Sequence, residues 1–129
     1  MTVLLDANVL IALAVAEHEH HDRAERWVDG VESFALCPVV EGALTRFLVR
    51  TGEGSRAAAA LLEGFGTHPA CVFWPDDLSY RDVDMTGTLG HRQVTDTYLV
   101  ALARHRGGRL ATFDAALAAR FPDVVTLVP

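Results

Sequence analysis

Lysine is absent from this chain: all eleven of its Lys and Arg residues are arginine. That absence removes every mechanism that needs a catalytic lysine. Receiver domains and haloacid-dehalogenase-type phosphatases are excluded on this ground, as is a nucleotide-binding GxxxxGK[ST] loop. Serine hydrolases fail on another absence, since Ser33, Ser55 and Ser79 sit in no GxSxG elbow. The only two cysteines, Cys37 and Cys71, form no metal or redox motif and read as free thiols of a cytoplasmic protein. No apolar run approaches the roughly 18 residues of a membrane span. The first residues, MTVLLDANVL, lack a basic stretch and carry Asp6 and Asn8 within their apolar part, so we read no signal peptide. Positive charge is also scarce, with a net charge of -6. This excludes a protein that coats nucleic acid by bulk charge and leaves room for an enzyme with local arginines.

What is present is a chain of 129 residues, half of them hydrophobic. It is expected to form a single domain over 1–129 with one core. Residues 2–5 read as a strand buried on both faces. Helices are expected at 7–16, 21–31, 38–48, 55–66 and 95–105, with further strands at 33–37, 71–74, 109–113 and 124–128. Ala24, Trp27, Val28 and Val31 form an apolar stripe at helical spacing. Pro38 suits a first helical turn, and the glycine pair at 107–108 ends a helix. Residues 76–93 are the least legible, with a helix and a glycine loop as the expectation. Strands alternating with helices predict an α/β fold, a three-layer α/β/α sandwich around a mostly parallel sheet of about five strands.

Within that layout the stretch TVLLDANVL raises a question of charge. Asp6 ends a buried run, and an unpaired buried carboxylate is costly. Three other acids occupy comparable places. Glu41 lies in the first turn of the helix after the second strand, in PVVEGAL. Asp96 lies in the first turn of VTDTYLVALA. Asp114 follows the fourth strand in LATFDAAL. Each also suits a helix cap or a dipole complement. In a parallel sheet, however, all four points fall on the edge where strands end and helices begin. Two carboxylates about 4 Å apart repel by roughly 4 kcal/mol at an effective dielectric near 20. A divalent cation is the natural remedy, and oxygen-only ligands suit Mg²⁺ or Mn²⁺.

The segments LLDANVLIAL, PVVEGALTRFL, VTDTYLVALA and LATFDAAL, in this order, resemble the PIN-domain ribonucleases. Length and spacing resemble the VapC toxins of bacterial toxin–antitoxin pairs, and the likeness covers essentially the whole chain. The resemblance implies a Mg²⁺-dependent endoribonuclease with Asp6, Glu41, Asp96 and Asp114 as its acidic, metal-binding set. Asp6 and Asp96 would be the principal ligands. Activated water would cleave RNA to leave 5′-phosphate and 3′-hydroxyl ends. It also implies an antitoxin as protein partner, reaching the acidic cleft, and a homodimer. Apolar faces on the helices at 38–50 and 55–66 would suit a partner helix. The alternative is a catalytically silent PIN-like scaffold that only binds a partner protein, which the presence of all four acids disfavours.

Other residues invite weighing. Arg46, Arg50 and Arg92 are candidates to hold phosphates, with Arg46 and Arg92 preferred. Asn8 and Thr112, each two residues from a site aspartate, could hydrogen-bond a site carboxylate or serve ordinary turn and strand chemistry. EHEHHD at 17–22 has the look of a metal cluster, but a solvated helix start is the simpler expectation. Trp27 and Trp74 are expected in the core.

Overall fold

Strand β1, Thr2–Leu5, lies at the centre of a five-stranded sheet in the computed structural model, which describes residues 1–129. The other strands are β2 (Ser33–Leu36), β3 (Cys71–Phe73), β4 (Arg109–Thr112) and β5 (Val125–Leu127). Their order is β3-β2-β1-β4-β5 and every pairing is parallel. The register places Leu4 beside Ala35 on one side and Leu110 on the other. These strands are short and aliphatic because both faces are covered; Leu4, Leu5, Phe34, Ala35, Leu110 and Ala111 are wholly buried.

Six helices supply the cover: α1 (Ala7–Ala14), α2 (His21–Val28), α3 (Pro38–Arg50), α4 (Ser55–Gly66), α5 (Val94–His105) and α6 (Ala115–Arg120). Helix α1 packs on α2 and α3, and α3 on α4; α5 packs on β4, and α6 on β4 and β5. Right-handed crossovers account for the split. Connections from β1 through β3 run one way along the sheet and carry α1 to α4 on one face. The return to β4 and β5 carries α5 and α6 on the other. The chain reverses direction at β1 and β4, so the crevice between their carboxyl ends is a topological switch point, where ligands bind in open α/β sheets.

The structure moves some expected boundaries. Helix α1 stops at Ala14 rather than Ala16. The ring Nδ1 of His21 donates to the Ala12 carbonyl at 2.9 Å, taking the acceptor that another turn would use. Helix α2 ends at Val28, short of residue 31. No α-helix forms within 76–93; the segment carries two 3₁₀ turns, Tyr80–Asp82 and His91–Gln93. Tyr98 anchors it by donating its hydroxyl to the Leu78 carbonyl at 2.8 Å. Trp74 is buried, whereas Trp27 is only partly so. Helix α5 ends in a Schellman motif: the N–H of Gly108 reaches Ala103 O at 2.9 Å and that of Gly107 reaches Arg104 O at 3.0 Å. Gly107 has φ of 67° there. Gly108 faces a second demand, because an added Cβ would stand 2.5 Å from Thr2 O and 2.7 Å from the Trp74 ring.

Candidate active site

Asp6 follows β1 and Asp114 follows β4, so these two adjacent strands deliver one aspartate each to the switch point. Asp96 comes from the first turn of α5, which feeds into β4 and therefore starts at the same edge. The three carboxylates act on one another. The Asp96 carboxyl is pushed up to about 6, mainly by burial and then by the charges of Asp6 and Asp114, while Arg120 opposes the rise. Burial also raises Asp6; hydrogen bonds from Thr112 and Ala7 pull it back, and Asp114 adds to the rise.

Asp6 and Asp114 are also helix caps. Oδ1 of Asp6 accepts the Ala7 N–H at 2.7 Å, and Oδ1 of Asp114 accepts those of Ala116 and Leu117 at 3.0 and 3.1 Å. Capping and convergence are therefore not competing explanations. The cap holds one oxygen and fixes the side chain's direction.

Thr112 and Asn8 answer the bonding question differently. Thr112 donates its hydroxyl to Oδ2 of Asp6 at 2.7 Å. Asn8 touches no site carboxylate. Its Nδ2 donates to Thr112 Oγ1 at 3.1 Å and its Oδ1 accepts the Phe113 N–H at 3.2 Å.

Glu41 lies in the first turn of α3, whose residues Val39, Val40 and Ala43 line the same cleft as Asp6 and Asp96. Its carboxyl is raised by burial and by the charge of Asp76, and the Cys71 thiol is raised by burial and then by the charge of Glu41. Asp76 also contributes to holding the buried Cys37 thiol up at about 11, where burial is the main cause. Asp6, Asp96 and Asp114 thus influence one another's protonation, while the charge that Glu41 feels most is that of Asp76. Asp76, three residues past β3 in a polar run, carries no sequence signal that separates it from a surface acid.

A cleft of about 440 Å³ opens beside Asp6 and Asp96. Val39, Val40 and Ala43 of α3 and Leu99 of α5 line it, and Arg46 lies on its wall. Arg92 stands exposed in the turn before α5 and is not among the lining residues, while Arg50 rests over the Phe47 ring at 5.6 Å. Arg120 was not legible from sequence, since a basic residue in a last helical turn reads as dipole complementation. Here its Nη2 donates to Gly87 O at 3.2 Å, joining α6 to the loop before α5. A larger cavity of about 590 Å³, between Leu78, Asp84 and the Thr97–Arg104 side of α5, contains none of the four predicted acids.

The histidines of EHEHHD form no metal cluster, because no three His, Cys, Asp or Glu side chains stand close enough to hold an ion together. They are not simply solvated either: the His20 ring packs on Phe113 with centroids 5.1 Å apart. The three site aspartates likewise do not stand as one trio close enough to hold an ion together. Their chemistry still fits a hard cation. All donors are oxygen, the carboxylates repel, and Mg²⁺ characteristically keeps several waters and needs only one or two carboxylates.

The PIN domain family matches residues 3–121. The chain is 52% identical to ribonuclease VapC29 of Mycobacterium tuberculosis over 130 aligned positions, covering 100% of this chain and 98% of the relative. It is 40% identical to ribonuclease VapC39 of the same organism, covering 92% of each. The crystal structure of M. tuberculosis VapC20, described as a sarcin–ricin loop cleaving toxin, superposes with a TM-score of 0.72. That likeness spans 98% of this chain and 99% of the other at 20% identity, and so speaks for the fold alone. A parallel sheet with an aspartate after each of the adjacent strands β1 and β4, and two relatives similar over nearly their whole length, lead to one assignment: the chain belongs to the PIN-domain family, among its VapC ribonucleases.

Proposed function

We propose that this protein is a metal-dependent endoribonuclease and the toxin of a toxin–antitoxin pair. The observation that carries the reading is the meeting of Asp6, Asp96 and Asp114 at the switch point, with the Asp96 carboxyl held up at about 6 by burial and its two neighbours. Unneutralised charge of that kind favours a bound cation. Asp6 and Asp96 would hold Mg²⁺, with Mn²⁺ as a substitute. When bound, the ion supplies charge neutralisation for the phosphodiester and a more acidic water for in-line attack. Asp114, exposed and capped onto α6, would orient that water or take its proton. Glu41, in the first turn of α3, would act through water. Arg46 on the cleft wall would hold a phosphate of the RNA, and Arg92, exposed before α5, would meet the strand outside the cleft.

The partner part of the reading rests on a second feature. A mainly apolar groove of about 400 Å³ runs between the end of α1 and helices α3 and α4, lined by Val15, Phe47, Leu48, Ala57 and Leu61. An antitoxin helix would lie there, with a basic segment reaching the acidic cleft. The homodimer belongs to the same proposal.

The test is incubation of the purified chain with cellular RNA in Mg²⁺, in EDTA, and with Asp6→Asn as control. Cleavage that needs Mg²⁺ and Asp6, leaving 5′-phosphate ends, supports the reading. Equal cleavage in EDTA removes the metal mechanism. No cleavage by a folded wild-type chain favours the silent scaffold.

A further inference from the structure

Thr112 Oγ1 is wholly buried and has three polar neighbours. A hydroxyl offers one proton and two lone pairs, so the direction of each bond can be deduced. The Asp114 backbone N–H lies 3.1 Å from Oγ1 and can only donate. Asn8 is the second neighbour, and its orientation is set elsewhere. The Phe113 N–H, also an obligate donor, points at Oδ1 of Asn8 from 3.2 Å. That places the amide's nitrogen, not its oxygen, toward Thr112, where Nδ2 donates at 3.1 Å. Both lone pairs of the hydroxyl are then taken. Its single proton has one acceptor left, Oδ2 of Asp6 at 2.7 Å.

Two consecutive backbone N–H groups, those of Phe113 and Asp114, therefore impose the polarity of the whole network. With the Ala7 N–H on Oδ1 at 2.7 Å, each oxygen of Asp6 receives one donor, and its carboxylate plane is held from both ends. Without the Asn8 amide, one lone pair of the hydroxyl loses its donor, and only the Asp114 N–H and the Asp6 carboxylate still fix where the hydroxyl sits.

We propose that Asn8 is a positioning residue: acting through the Thr112 hydroxyl, it orients the Asp6 carboxylate and so sets how tightly this site binds a divalent cation. The inference rests on the metal-dependent reading above. Partners that orient metal-ligating carboxylates typically change affinity by about 10–100-fold when removed. Asn8 and Thr112 come from α1 and β4, 104 positions apart, and meet only in the folded chain.

Mn²⁺ binding to the full chain, measured by calorimetry, tests this. The set comprises wild type, Asn8→Leu, Asn8→Ala, Thr112→Val, Thr112→Ser and the double variant Asn8→Leu/Thr112→Val, each checked for folding by its melting curve. Asn8→Leu and Thr112→Val should each weaken Mn²⁺ binding about tenfold, and Thr112→Ser should keep most of the affinity. The double variant should be no worse than Thr112→Val alone, because Asn8 acts through that hydroxyl. Independent structural effects would instead add. Asn8→Ala removes the amide without filling its space and decides the matter if the leucine variant does not fold. Unchanged affinity in the folded Asn8 variants, or an additive double variant, overturns this inference and leaves the proposed function standing. A folded wild type that binds no Mn²⁺ overturns both.

Discussion

The guanidinium of Arg23 lies over the ring of Phe113, 4.6 Å from its centroid. Phe113 is the residue between Thr112 and Asp114, and its other neighbour is the His20 ring. Arg23 also donates to the carbonyls of Val128 and Pro129 at 2.8 and 2.7 Å. The polar start of α2 thus braces the loop that presents Asp114. Losing the stacked cation and two hydrogen bonds should cost about 1–2 kcal/mol net. Arg23→Ala is expected to lower the melting temperature by roughly 3–8 °C, read by calorimetry. An unshifted transition would remove the brace.

Stability should depend on pH through Asp96. A carboxyl held above its unfolded value stabilises the fold most when protonated. The contribution is present below about pH 4 and is lost as pH rises through about 6. Asp6 and Glu41 are shifted in the same direction. Without metal, the protein should therefore gain about 0.5–1 kcal/mol on going from pH 7 to pH 5 at this site, after allowance for solvent screening of the half-exposed group. Denaturant melts of wild type and Asp96→Asn, in EDTA at both pH values, check this. The variant should lose most of the gain.

Asp96→Asn and Asp6→Asn should each lower RNA cleavage by about 100-fold or more, the loss expected when a charged ligand is removed. Asp96→Asn should leave the fold intact and raise the metal-free melting temperature at neutral pH, since it removes repulsion. Full activity in either variant would place the chemistry elsewhere.

Arg46→Ala should raise KM for RNA about threefold to tenfold and leave kcat nearly unchanged, because an exposed phosphate contact contributes about 1 kcal/mol of binding without touching the scissile bond. Steady-state kinetics on a short single-stranded RNA separate the two constants. A loss confined to kcat would move Arg46 into the chemistry.

Gly108→Ala should destabilise by about 1–3 kcal/mol, the range for overpacking a filled core. The added methyl would meet backbone as well as the Trp74 ring, and the Thr2 carbonyl cannot swing aside without disturbing β1. Chemical denaturation measures it; a neutral result would mean that β1 and β4 can separate slightly at no cost.

Local signals in the sequence determined most of the architecture. Buried parallel strands read as short aliphatic runs, Pro38 opens α3, and the pair Gly107–Gly108 ends α5, because each expresses a backbone preference over a few residues. By the same logic Asp6, Asp96 and Asp114 stood out, since an acid at a strand end or in a first helical turn falls on one edge of any parallel sheet. Only the tertiary structure decided what those acids meet. Strand order put β1 beside β4, which brought Asp6 to Thr112 and Asn8 to Phe113 across more than one hundred positions. It brought the charge of Asp76 to bear on the Glu41 carboxyl, which burial already raises. It set the His20 ring of the histidine-rich stretch against Phe113 and left residues 76–93 without an α-helix, because that segment is held by single long-range bonds such as Tyr98 to Leu78. Contacts of this kind depend on which elements become neighbours, and no local spacing encodes that.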